Sequence, residues 1–426
     1  MSCRQLLAPR RVPRQAGLAP SSPLTYEGVK AGIIGQFWDS YFPNSTVFPR
    51  GLFAFTFGGS LDAMQTHTAQ SPALAKQMLA IALATANRSR TGEPWMMSES
   101  RRLYADALRM AARDIFAKGP DLEQQLVASR LFSLYESFFG RGQQDHEGQA
   151  RSWLLHGNGE TAIVTSNSPD TYATGRAHRL FLAGRHQITM TALLQEKRTF
   201  LSEPIWKTAP WTYYPKTPRD HLLDIFADIP SILEGVKAMK AWESEAKKTE
   251  YRHLLGRAVN NVITRLLAWY EQYAFPIVPA DLVEELPEHL SADLLAAAHV
   301  MSLYHCLTLR CNALCRNLGG AADPRIDDDH EFYELTRASR MFGHPDAGLF
   351  RHHIATFPLV TGLSHIMARG EGAYAAEKAT LLSVLNSGYF ESLKDFLVSM
   401  LHFQPTSMLN LGTQRTAQKG GQSLDT

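Results

Sequence analysis

An all-α fold, an irregular bundle of stacked helical pairs, is what this chain of 426 residues predicts. Apolar residues recur three and four positions apart through most of its length, the spacing that collects side chains on one face of a helix. No run alternates with the period of two that a half-buried strand needs, and no Asn-Gly pair sits between β-branched runs. Gly, Pro, Ser and Asp fall at the ends of the apolar stripes, where helices start and stop. No segment repeats at a fixed period, which excludes a regular solenoid.

The elements follow in order. Residues 1–25 read as a disordered basic arm: Arg4, Arg10, Arg11 and Arg14 precede the first acid, Glu27, and Pro9, Pro13, Pro20 and Pro23 oppose a stable helix. Phe37 to Tyr41 end an apolar helix, and Phe42-Pro43-Asn44 turn away from it. Ser71-Pro72 supplies an N-cap and a first-turn proline; Leu74, Met78, Ile81, Ala82 and Thr85 then mark one face. Ser98 is the expected start of the next helix, with Tyr104, Leu108, Ala111 and Ile115 as its stripe, and Gly119-Pro120-Asp121 breaks it. Val127, Leu131, Leu134, Tyr135 and Phe138 follow, closed by Gly140-Arg141-Gly142 and a polar loop, 143–149. Further helices are expected over 150–164, 174–197, 222–227, 231–273, 292–318, 330–341, 347–369 and 373–401, the last with a break at Gly388. Between them, Phe200 to Trp211 holds two prolines and two tryptophans within eight residues and predicts a rigid packed corner. The helical domain therefore covers 26–403, and 404–426 is a polar, Gly-rich disordered tail.

Composition removes several function classes. Lys and Arg number 43 against 41 Asp and Glu, so the formal charge is only +2 and the strong basic field of a nucleic-acid binder is missing. Cys306, Cys311 and Cys315 lie in one helical segment and cannot make a disulfide framework; Cys311 and Cys315, four apart, read as buried thiols rather than a metal pair. No apolar run reaches the length expected of a membrane span. The N-terminal arginines fit a solvated arm, a nuclear-import patch or, less well, a mitochondrial presequence.

Catalytic patterns do not emerge. There is no phosphate loop ending in Gly-Lys-Ser/Thr, no His-Glu-x-x-His pair and no Gly-x-Ser-x-Gly, and Gly157-Asn158-Gly159-Glu160 has no strand before it. Asp327-Asp328-Asp329-His330 reads as a helix cap, where acids favour the dipole. His352-His353 reads as half-buried histidines, and His156 as a hydrogen-bonded histidine between helices. Arg176, His178, Arg179, Arg185 and His186 make one helix strongly basic, expected as a solvated face, with an acidic-partner surface as the alternative. No catalytic, metal or cofactor residue is assigned.

One resemblance gathers the remaining motifs. Leu74 to Arg88, Leu103-Tyr104 with Ala107-Leu108, Ser133-Leu134-Tyr135-Glu136, Trp153-x-x-His156-x-x-Gly159 and Leu180-Phe181-Leu182-Ala183 lead to Thr199-Phe200-Leu201-Ser202-Glu203-Pro204-x-Trp206 and Pro210-Trp211. Their order and spacing resemble the regulatory, or middle-homology, domain of fungal binuclear zinc-cluster transcription factors, over about 37–401. The resemblance implies a nuclear transcription regulator, often tied to a secondary-metabolite gene cluster, that acts through protein partners such as a zinc-cluster factor and answers to a small-molecule effector. Two departures qualify it. The family's DNA-binding module needs six cysteines, and here only Cys3 precedes Cys306, so specific DNA binding by this chain alone is not expected. Ser166-Asn167-Ser168-Pro169 also stands where the family carries Arg-Gly-Pro. A helical protein that binds or transforms a small metabolite is the other reading, and the cytoplasm the other location.

Overall fold

Helix follows helix from Pro23 onward, and no strand occurs among the described residues. The computed structural model describes residues 23–43, 59–89, 94–117, 121–140, 146–277, 286–370 and 374–387, with Lys394, Phe396, Leu397, Ser399 and Met400. The expected tail, the break at Gly388 and most of the basic arm lie outside the described residues; Pro23 to Thr25, assigned to the arm, instead open the first helix.

The helices are α1 (Pro23–Tyr41), α2 (Gly59–Gln70), α3 (Pro72–Ser89), α4 (Pro94–Ala117), α5 (Leu122–Phe139), α6 (His146–Thr165) and α7 (Gly175–Gln195). A corner of short turns around α8 (Pro204–Thr208) leads to α9 (Pro218–Phe226), α10 (Ile229–Lys240) and α11 (Glu245–Ile277). Then come α12 (Ala292–Asn317), α13 (Asp328–Ser339), α14 (Arg351–Arg369) and α15 (Ala375–Asn386). Consecutive helices pack as pairs, α3 on α4, α5 on α6, α10 on α11 and α12 on α13, as short connections dictate. One buried apolar cluster runs from Phe37 to Met400 through all of them.

Local chemistry sets the ends. Ser71 Oγ accepts from the Leu74 amide, and the Asp121 carboxylate from the Glu123 amide. Thr217 and Asp220 form a reciprocal capping box at α9. Asp327 caps α13 by accepting from the amides of Asp329 and His330, which is the capping role expected of that acidic run.

Several expected boundaries shift. α4 starts at Pro94, four residues before Ser98, and α6 begins at His146, inside the expected loop. On α4 the buried stripe is Met96, Ser100, Leu103 and Ala107, while Leu108 is exposed. Adjacent residues lie about 100° apart around a helix, so a stripe read one position off faces a neighbouring groove. The single helix expected over 231–273 is two. Ala241 and Trp242 turn back on the carbonyls of Ala238 and Met239, and Gly235 lets α11 approach: a Cβ there would sit 2.8 Å from Leu255 Cδ2. The helix expected from Ala347 is preceded by turns at Arg340–Gly343 and Pro345–Ala347 and starts at Arg351. α15 ends at Asn386, and Lys394, Phe396, Leu397, Ser399 and Met400 are helical again.

α12 corrects the reading that no segment is long and apolar enough to cross a membrane. By length and composition it is, with a mean hydropathy of 1.2 over its best window. Yet 83% of that window is buried inside the protein, against α9, α11, α13 and α14. Two of its polar residues find partners there: His305 Nδ1 pairs with Glu331 Oε2 at 2.7 Å, and the Asn312 amide donates to Asp328. α12 is the central post of the bundle.

Candidate functional site

The residues that carry the family resemblance pack on one another. Trp206 is 6% exposed; its ring lies 4.7 Å from Phe200 and 5.9 Å from both Tyr172 and Phe181. Trp211 meets Phe181 edge-on at 5.9 Å. The corner 200–211 is thus an anchor of short helical turns in the bundle, as its prolines and tryptophans predict. One layer away, Tyr104 stacks on Tyr135 at 4.2 Å. Its hydroxyl donates to Glu136 Oε1 at 2.6 Å and lies 3.2 Å from His156 Nε2. His156, stacked on Phe132, is the interhelical histidine expected; burial lowers it to about 4, so it is neutral.

The basic helix α7 is not a solvated face. Arg176 and Arg179 are exposed, but Arg185 is 1% exposed. Its guanidinium bonds Asp220 Oδ1 at 3.1 Å and Asp224 Oδ1, both on α9, and lies 4.5 Å over the Trp211 ring. Lys216 completes the network on Asp224. A second buried pair, Arg130 with Glu160 at 2.7 Å, ties α5 to α6. Gly184 makes room for it: a Cβ there would meet Glu160 Oε1 at 2.1 Å. Gly157, the other side of the loop-like Gly157-Asn158-Gly159 phrase, lets Thr191 approach closely. These glycines serve helix contact.

His186 turns the other way, into a cavity of about 80 Å³ between α5, α6, α7, α12 and α14. Its polar lining is Ser133, Ser137, Gln187, Arg310, His352 and His353; Trp153 and Phe357 supply aromatic walls. Gln187 Nε2 donates to Ser133 Oγ at 2.7 Å, and Arg310 Nε to Thr361 Oγ1 at 2.8 Å beside the Phe357 face. The pair expected to be half-buried divides. His352 is buried, its Nδ1 2.8 Å from the Leu349 carbonyl, while His353 is exposed. Burial lowers His186 and His352 to about 3, so both are neutral imidazoles. His186 Nε2 has no hydrogen-bond partner among the described residues. A chamber of neutral imidazoles, an amide, hydroxyls and one guanidinium can hold a small polar molecule by hydrogen bonds.

Among the described residues no three His, Cys, Asp or Glu side chains converge as a metal set. Cys306, Cys311 and Cys315 are buried free thiols, and burial raises Cys306 to about 12. Gln187 and Arg310 were not singled out from the sequence. Arg310 had a signal all the same: a lone guanidinium inside the apolar run of α12 needs a polar niche. Comparison with known proteins gives no match, whether to a family model, a curated protein or a solved structure.

Proposed function

We propose that this chain is a transcription regulator built like the regulatory domain of zinc-cluster factors and acting through protein partners. The observation that carries the reading is the mutual packing of the motif residues. Those on α4, α5 and α6 meet around Tyr104, and those on α7 meet the corner through Phe181, Trp206 and Trp211. Segments that resemble one domain in order and spacing thus also share one core. The near-balance of charge supports contacts with protein rather than with DNA. The imidazole-lined cavity gives a small-molecule effector a place to enter, and it equally favours the second reading, a helical metabolite-binding protein. Nuclear location and control of a secondary-metabolite gene cluster belong to the same proposal.

Tethering tests it. Fused to an unrelated DNA-binding module, the chain should move a reporter several-fold in either direction and reside in the nucleus; alone, at about 150 mM salt, it should shift no DNA sequence selectively. A tethered chain that leaves the reporter unchanged and stays outside the nucleus overturns the regulatory reading in favour of the metabolite-binding one.

A further inference from the structure

A second opening, of about 220 Å³, lies between α10, α12 and α14. Its lining combines two chemistries. Ile229, Leu233, Leu309, Ala313 and Leu314 form an apolar floor, and Arg310, Arg316 and Arg369 line the same cleft with guanidinium groups. Among the described residues no carboxylate lies on its lining. Among the described residues, the carboxylate paired with two of these arginines is that of Asp328: Arg316 Nη1 and Arg369 Nη2 reach the same Oδ2 at 2.8 and 2.9 Å, while Oδ1 accepts from Asn312. One carboxylate balances one of the two charges, and a guanidinium with five donors has several left after a single bond. The two heads therefore converge with charge and donors to spare.

A further feature points to a ligand. His365, on the cleft wall, is 9% exposed, and its Nε2 is buried with no hydrogen-bond partner among the described residues. Its ring is held in place by stacking on Phe332 at 4.7 Å. An unsatisfied buried ring nitrogen is costly unless a bound group or water completes it.

We propose that this cleft binds a small organic acid, its carboxylate on Arg316 and Arg369 and its apolar body on the floor of α10 and α12. Guanidinium forks match a planar carboxylate, and the apolar floor selects against a bare inorganic anion. This cleft shares Arg310 with the imidazole-lined cavity and does not depend on the transcriptional reading.

Titration calorimetry on the full chain tests it with octanoate, 1-octanol and inorganic phosphate. Octanoate should bind saturably, and the alcohol and phosphate at least about tenfold more weakly, because each lacks one of the two interactions. The Arg316→Gln/Arg369→Gln double variant should weaken octanoate by ten- to a hundredfold, of the order expected for hydrogen bonds to a charged group. Arg176→Gln, on an exposed site elsewhere, should not change it. Because Asp328 also relies on the two arginines, Ala368→Trp serves as a second variant. It fills the rim from a half-exposed position and should abolish octanoate binding with the melting temperature unchanged. No saturable octanoate binding, octanol binding as tightly as octanoate, or unchanged affinity in the folded double variant or in Ala368→Trp overturns the proposal.

Discussion

Arg185→Met separates a buried ion network from a solvated basic face. The guanidinium is 1% exposed, reaches two carboxylates on α9 and covers Trp211. Removing one side of a buried pair costs roughly 3–5 kcal/mol, because the partner charges stay buried. Here the remaining acids keep other contacts: Asp224 retains Lys216, and Asp220 retains the Thr217 amide and hydroxyl. The lower half of that range is therefore expected, with about 1 kcal/mol of it from the lost contact with Trp211. Unfolding entropy scales at about 2 cal/mol/K per residue, so for a cooperative unit of this size the melting temperature should fall by roughly 4–6 °C. Differential scanning calorimetry or thermal circular dichroism reads this directly. Arg176→Met on the exposed side of the same helix is the control and should stay within about 0.5 kcal/mol of the parent. Adding Asp224→Leu to Arg185→Met should recover part of the loss, since two absent charges need no burial. If Arg185→Met melts with Arg176→Met, the network contributes nothing and the solvated-face reading of α7 stands.

Two more outcomes are expected. Trp206→Ala should cost about 3–5 kcal/mol, the range for truncating a buried large aromatic; an unchanged melting temperature with lost reporter output would make the corner a working surface instead of an anchor. Stability should also fall with acid through the buried histidines. Burial lowers His352 from 6.5 to about 3 and His299 well below 6.5, so below pH 6.5 the unfolded chain takes up protons that the folded one refuses. The stability is fully present above 6.5 and lost as pH falls toward the folded values, at about 1.4 kcal/mol per pH unit for each histidine. Between pH 7 and 5 His352 should remove about 2 kcal/mol, with His299 acting in the same direction, read from urea midpoints, and His352→Phe should flatten the slope by one proton. A midpoint that does not move over that range refutes the assignment of these rings as neutral.

The sequence by itself determined the all-α class and most of the helices, but neither α2 nor the division between α10 and α11. Val127, Leu131, Leu134, Tyr135 and Phe138 are all buried as their spacing requires, and the caps at Ser71 and Asp327 act where they are written. These features are local: a cap needs an acceptor two or three residues from an amide, and a stripe needs only the helical period. The corner at Trp206 was legible for the same reason, since proline and tryptophan leave few conformations open.

Only the tertiary structure decided what the polar residues mean. Periodicity places Leu103 and Leu108 about 140° apart around α4 and cannot say that the first meets the core while the second is exposed. Arg185 looked solvated because its acids are 35 and 39 residues away on another helix. His186 and Gln187 follow it directly in the chain and face a cavity that exists only when α5, α12 and α14 close over α7. The organic-acid cleft, likewise, takes its floor from α10 and α12 and its arginines from α12 and α14. Charge neutralisation and cavity shape depend on partners that folding brings together from distant parts of the chain, and no local period encodes those meetings.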